Sequence, residues 1–282
     1  MLALHLAVLL FGLAGLFAKF LSVSPVILVW GRTFFSIFPL VLILLVHRQK
    51  IGPFSKGLGL SGMLLALHWL SFFWAIQVST VAIGLLSFAT FPIFLMLLEA
   101  IWGQDRLEAK DAGSVLLVVL GLVLVVPDFQ WGGAAITGML WGVISALTFA
   151  LLTWFNRQHV QAHSGLVLAT LQNGICCLIT TPFVAGALAD VSTHDWLGLL
   201  VLGLFCTALA HSLFIHALRT VKAKTAGLIV CLEPVYGMVL SYFLLQEKTA
   251  LRTWLGALLI LATSVGLTLR HQAFKPDQSI QV

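Results

Sequence analysis

The chain is a succession of apolar runs of roughly twenty residues, the length that crosses a bilayer core about 30 Å thick, separated by brief polar punctuation. Few features constrain a fold more. In hydrocarbon every backbone N–H and C=O must be satisfied within the protein, so only helices and closed barrels span a membrane. No run alternates polar and apolar residues with period two, which argues against a barrel. The runs predict ten transmembrane helices at 2–18, 25–46, 57–77, 80–101, 111–126, 134–154, 165–187, 195–216, 224–245 and 250–269. The first run starts almost at the amino terminus with no basic stretch ahead of it. It is therefore expected to be a retained helix rather than a cleaved signal peptide.

Composition narrows the function. Only 9% of residues are charged and 60% are hydrophobic, against about 25% charged in soluble proteins. A soluble enzyme, a disulfide-stapled secreted module and a disordered regulator are excluded. The net charge of +5 resides in short loops, with no basic helix face of the kind that binds nucleic acid, so no nucleic-acid partner is expected. With a cytoplasmic amino terminus, eleven of the fifteen Lys and Arg fall on the inner side. That asymmetry predicts a multi-pass protein of the cytoplasmic (inner) membrane with both termini cytoplasmic. Cys176, Cys177, Cys206 and Cys231 lie in apolar runs without metal-ligand spacing, so neither a metal nor a cofactor is expected.

Internal symmetry comes next. Setting Pro92 on Pro234, an offset of 142, aligns Ala75 with Ala217, Phe94 with Tyr236, Met96 with Met238, Asp105 with Glu247 and Leu117 with Leu259. Phe91-Pro92-Ile93-Phe94 then parallels Glu233-Pro234-Val235-Tyr236, and Phe11-Gly12 resembles Trp141-Gly142. The expected organisation is a first repeat over 1–130, a second over 131–270 and a cytoplasmic tail over 271–282. Five crossings per half is an odd number, so the second half enters the membrane inverted, a recurrent plan of secondary transporters.

The run from His68-Trp69-Leu70-Ser71 through Val81-Ala82-Ile83-Gly84, together with Phe91-Pro92, Leu232-Glu233-Pro234-Val235 and Gln246-Glu247-Lys248, resembles the EamA-type members of the drug/metabolite transporter superfamily. The resemblance covers about residues 3 to 270. It implies an all-α integral membrane carrier of two inverted five-helix repeats, an exporter of amino acids or other small metabolites. It also implies a central cavity lined mainly by the first, third, fourth, sixth, eighth and ninth helices. Phe91 stands where the second half has Glu233, so the two halves are not chemically equivalent.

A charge inside the bilayer costs about 2.5–3.5 kcal/mol on insertion scales and marks a candidate site. Glu233, expected near the centre of the ninth helix ahead of Pro234, can bind a substrate ammonium or a proton, and Tyr236 lies on the same face. Arg32, in the second helix, can hold a carboxylate, pair with Glu233, or simply snorkel or pack. His68 and His211 are near-equivalent under the repeat and can relay protons, although a lone histidine is more often a packing residue. Trp69 and Trp141 sit deep in helices expected to face the cavity and can stack on a flat or cationic substrate, or pack against their neighbours. Trp102, Trp131, Trp196 and Trp254 read as interfacial belt residues, and Lys19 as an interfacial anchor. Gly138 and Gly142 signal close helix approach. Glu99, with Asp105, Glu108 and Asp111, reads as a solvated acidic edge.

The expected function is secondary transport of a small molecule by alternating access, driven by its own gradient or by protons. The rival readings are an intramembrane enzyme acting on lipid and a small-solute channel. The first would need a cluster of acid/base or metal ligands that does not occur in the sequence, and the second a pore-lining ring. No enzymatic activity is expected, and the partners are the solute and the bilayer.

Overall fold

The computed structural model describes residues 1–52, 56–102, 109–126, 130–159, 164–218 and 229–273. Its helices are α1 (Leu2–Phe20), α2 (Pro25–Val46), α3 (Lys56–Val78), α4 (Val81–Phe88), α5 (Phe91–Trp102), α6 (Ala109–Val125), α7 (Ala134–His159), α8 (Gly165–Val184), α9 (Thr193–Gly203), α10 (Ala210–Leu218), α11 (Glu233–Leu244) and α12 (Leu251–Ala273). Seven helical stretches among the described residues are long and apolar enough to cross a membrane. The protein is all-helical and integral to the membrane.

Local chemistry explains where these helices start. Ser24, Thr80, Ser164 and Ser192 each accept the backbone N–H three residues on with their hydroxyl, filling an orphan donor at a helix N-terminus. Several expected helices are not continuous. The segment expected at 80–101 breaks at Ala89–Thr90 between α4 and α5. The segment expected at 224–245 turns at Cys231–Leu232 before α11 begins, and residues 219–228 lie outside the described part. Both breaks immediately precede a proline, Pro92 or Pro234. Proline lacks an N–H and cannot continue a helix from behind, but it fits the first turn of a new one. The expected placement of Glu233 at mid-helix is therefore corrected: it opens α11. The third irregularity is a π-helix over Leu204–Leu209, joining α9 to α10.

Packing pairs α3 with α7 and α1 with α10, α4 with α7 and α1 with α11, and α3 with α8 and α2 with α9. In addition α2 packs on α8, α4 on α11 and α6 on α12. The main core lies among Leu28, Phe73, Ile76, Leu85, Leu199 and Leu202, all essentially without exposure. Close approach is achieved where side chains are absent. A Cβ on Gly12 would lie 2.9 Å from the backbone N of Gly237 and 3.0 Å from the Glu233 carbonyl oxygen. Gly142 similarly meets the Ser87 Cβ, and Gly138 meets Ser79, so the spaced small residues of α7 lie against α4 and the α3–α4 junction.

Three peripheral readings change. Glu99 is buried, at 5% exposure, rather than solvated, because α5 lies against α7 and α12; Asp105 and Glu108 fall outside the described residues. Lys19 does not reach outward as an anchor. Its Nζ donates to the carbonyls of Gln77 and Ser79 at 3.2 and 2.7 Å, neutralising the open C-terminus of α3. Trp196 packs edge-on against Trp30 and Phe35, while Trp131 and Trp102 are exposed.

Candidate functional site

Arg32 is 4% exposed. α2 carries it over the face of Trp69, the guanidinium carbon 3.8 Å from the ring centroid, with Phe73 at 5.5 Å. The aromatic quadrupole attracts the cation most strongly where water is excluded. Arg32 Nε donates to the Thr207 hydroxyl at 3.2 Å. Thr207 sits in the π-helix and in turn donates to the Leu202 carbonyl, five residues back, at 3.0 Å. The widened turn thus presents a hydroxyl to the buried cation, and such π segments recur at functional sites.

The same residue joins a second candidate to this group. His211 Nδ1 lies 2.8 Å from the Thr207 carbonyl oxygen, and its ring meets Phe11 of α1 edge-on at 5.4 Å. α1 acts as the spine of this side. Gly12 brings it against α11, and about two turns away toward its start, the His5 Nδ1 lies 2.8 Å from the Tyr236 hydroxyl. Tyr236 reaches back toward the start of α1 because helical side chains lean toward the N-terminus. Glu233, at the head of α11, has the Gly12 backbone beside it. A carboxylate in a first helical turn is favoured by the dipole. Among the described residues Glu233 and Arg32 form no direct ion pair, although their charges act on each other through the interior.

His68 belongs to a different nest. Its Nδ1 lies 2.8 Å from the Ser145 hydroxyl and 3.2 Å from the Ser145 carbonyl, and the Ser145 hydroxyl also reaches the His68 carbonyl at 3.2 Å. The rings of Phe72, Phe88 and Phe149 surround the imidazole. Trp141 is brought to neither group; it lies 5.6 Å from Trp74, which is 42% exposed. The candidates therefore separate into Arg32–Trp69–His211, linked through Thr207; Glu233–Tyr236, held against α1; His68, held by Ser145; and Trp141, apart. His5, Thr207 and Ser145 were missed in the sequence. His5 is separable as the residue one heptad before Gly12, and Thr207 as the hydroxyl four residues before His211. Ser145 carries no signal of its own.

Polar contacts also tie the two ends of the bundle. At one end Asp195 accepts the Ser22 N–H at 3.0 Å, Glu247 accepts the Val81 N–H at 3.2 Å, and Gln77 donates to the Val23 carbonyl at 2.8 Å. At the other, Gln172 donates to Asn156 and Ser61 at 2.6 and 3.0 Å; nearer mid-helix, Ser36 donates to Asn173 at 3.0 Å. Among the described residues no group of His, Cys, Asp and Glu has a metal-holding arrangement.

Residues 1–126 and 136–269 each match the EamA-like transporter family. A protein of Bacillus subtilis called an uncharacterized transporter, YxxF, is 26% identical over 75% of this chain and 69% of its own. An uncharacterized transporter of Archaeoglobus fulgidus is 25% identical over 92% and 93%. The uncharacterized inner membrane transporter YicL of Salmonella typhimurium is 25% identical over 95% of both chains. A crystal structure 17% identical in sequence superposes with a TM-score of 0.63, covering 97% of this chain and 98% of that one. That likeness concerns the fold.

Proposed function

Because the chain belongs to the EamA-like transporter family, and is thus a multi-pass membrane transporter, we propose that it is a secondary carrier exporting a small organic metabolite by alternating access. The solute is an amino acid or related amphiphile, and the membrane is the cytoplasmic (inner) one, the membrane that the name of its relative YicL gives for that protein. The single observation that carries the reading is a couple of opposite charges inside the bundle that form no ion pair among the described residues. Arg32 is held by an aromatic face and one hydroxyl, while Glu233 stands at the head of a half-helix. An intramembrane charge without a protein counter-charge calls for a polar partner, and a solute bearing both signs supplies it.

The architecture we propose is ten transmembrane helices in two inverted repeats, 1–130 and 131–270, with a cytoplasmic tail at 271–282. The packing supports it. Exchanging each helix for its repeat mate converts the α3–α7 contact into α10–α1, α5–α7 into α11–α1, and α3–α8 into α9–α2, while α2–α8 and α6–α12 map onto themselves. The paired breaks before Pro92 and Pro234 obey the same exchange. Alternation then means releasing the carboxylate-to-backbone ties at one end while the amide ties hold at the other, and the reverse. The basic-residue count sets the carboxylate end outward and both termini in the cytoplasm. Protons are a candidate coupling ion through Glu233.

The test is counterflow in proteoliposomes across amino acids and cationic drugs. Glu233→Gln and Arg32→Gln are expected each to abolish exchange of the accepted solute while the protein still assembles. Unchanged exchange in both variants would remove the charge couple from the mechanism.

A further inference from the structure

At the end of the bundle that carries the Gln172 ties, α2 and α8 leave between them an open groove of about 700 Å³. Ile37, Val41, Leu44, Ile175 and Leu178 line it, and among the described residues no acidic side chain does. Gly174 lies in its wall, where an added Cβ would meet no atom within 4 Å. Arg48 and Gln49 form the rim.

That rim is built in an unusual way. α2 ends with the Gln49 N–H donating to the Leu44 carbonyl at 3.0 Å and the Arg48 N–H to the Leu45 carbonyl at 3.1 Å. This is the two-bond helix terminus whose left-handed residue is ordinarily glycine. Here that residue is Arg48, with φ 49°, although the left-handed region disfavours a side chain by about 1–2 kcal/mol. A strained backbone at a surface turn points to use of the side chain. The guanidinium is exposed and flanked in sequence by His47 and Lys50.

We propose that this groove binds an anionic phospholipid of the cytoplasmic leaflet, one acyl chain lying between α2 and α8 and the phosphate held by Arg48. The leaflet assignment rests on the orientation given above. The apolar wall selects a chain, and the basic rim selects an anion, as juxtamembrane basic clusters do toward the negative inner surface. A second copy of this protein is the poorer occupant, since a two-fold contact through this face would set two basic rims together.

The full-length protein, stripped of lipid in detergent, is titrated with phosphatidylglycerol, phosphatidylcholine or inorganic phosphate and followed by native mass spectrometry and thermal melting. Phosphatidylglycerol is expected to be retained and to raise the melting temperature, and the other two are not. Arg48→Gly relaxes the turn and removes the anion contact. It is expected to melt no lower than wild type without lipid, yet to bind phosphatidylglycerol about fivefold more weakly, the weight of one basic residue at such a surface. Gly174→Trp fills the groove and is expected to lose retention with Arg48 intact. Equal retention of phosphatidylcholine, equal stabilisation by phosphate alone, undiminished binding by Arg48→Gly, or a dimer formed through this face would each overturn the proposal. One-sided labelling of Lys50→Cys in vesicles reads the orientation separately.

Discussion

Gly12→Ala adds one methyl group at the contact between α1 and α11, and the structure sets both sides of the account. In a helix interior alanine is favoured over glycine by about 1 kcal/mol. Against that, the new Cβ would lie 2.9 Å from the Gly237 backbone N and 3.0 Å from the Glu233 carbonyl oxygen. Both obstacles are backbone, so no rotamer change relieves them and the two helices must part. Overpacking of this kind costs about 1–3 kcal/mol, leaving a net loss of about 1 kcal/mol. Gly113→Ala in α6 supplies the contrast, because its Cβ would meet nothing within 4 Å and only the propensity gain remains. The same chemical change is therefore expected to have opposite signs at the two positions. Thermal melting of the purified variants measures this, and counterflow should fall in Gly12→Ala because Glu233 rides on the displaced contact. A Gly12→Ala protein that melts at or above wild type with full counterflow would refute the packing argument.

Two further outcomes follow from particular contacts. Ser145→Ala leaves the buried His68 imidazole with only a carbonyl at 3.2 Å, a loss of about 1 kcal/mol; the double variant with His68→Ala should be less destabilised than the sum of the singles, and strict additivity in melting would contradict the pairing. At the carboxylate ties, burial pushes the Glu247 carboxyl above the usual glutamate range, with the Val81 N–H and the Lys19 charge pulling the other way. Opening that end hydrates the carboxylate and lowers its pKa, so the closed state holds the proton more tightly. Acidification through the window between the two values thus favours closure, and rising pH favours opening. The labelling rate of Val23→Cys, divided at each pH by that of an exposed reference thiol so that the thiolate fraction cancels, should fall on acidification, and Glu247→Gln should remove that fall; a ratio that rises in acid would show the reverse linkage.

Much of the architecture was written locally. Hydropathy and length define an all-helical membrane protein, since hydrocarbon leaves the backbone no other way to satisfy its hydrogen bonds. The prolines at 92 and 234 mark where helices restart, and the spaced glycines of α7 mark a close contact, because each of these properties depends on the residue itself and its near neighbours. What the charges do was also half visible: Arg32 and Glu233 stand out by their cost in lipid.

Their partners were not visible. That Arg32 lies on Trp69 and meets a π-helical Thr207, that Tyr236 reaches His5, that Lys19 caps α3 and that Glu99 is buried all depend on residues distant in sequence. Helical periodicity gives the face of each helix but neither its neighbour nor its rotation against that neighbour. In a chain apolar on nearly every face, hydrophobicity cannot choose among rotations, because lipid and protein interior are alike to it. Glycine contacts, caps and hydrogen bonds make that choice, and they exist only once the helices are packed.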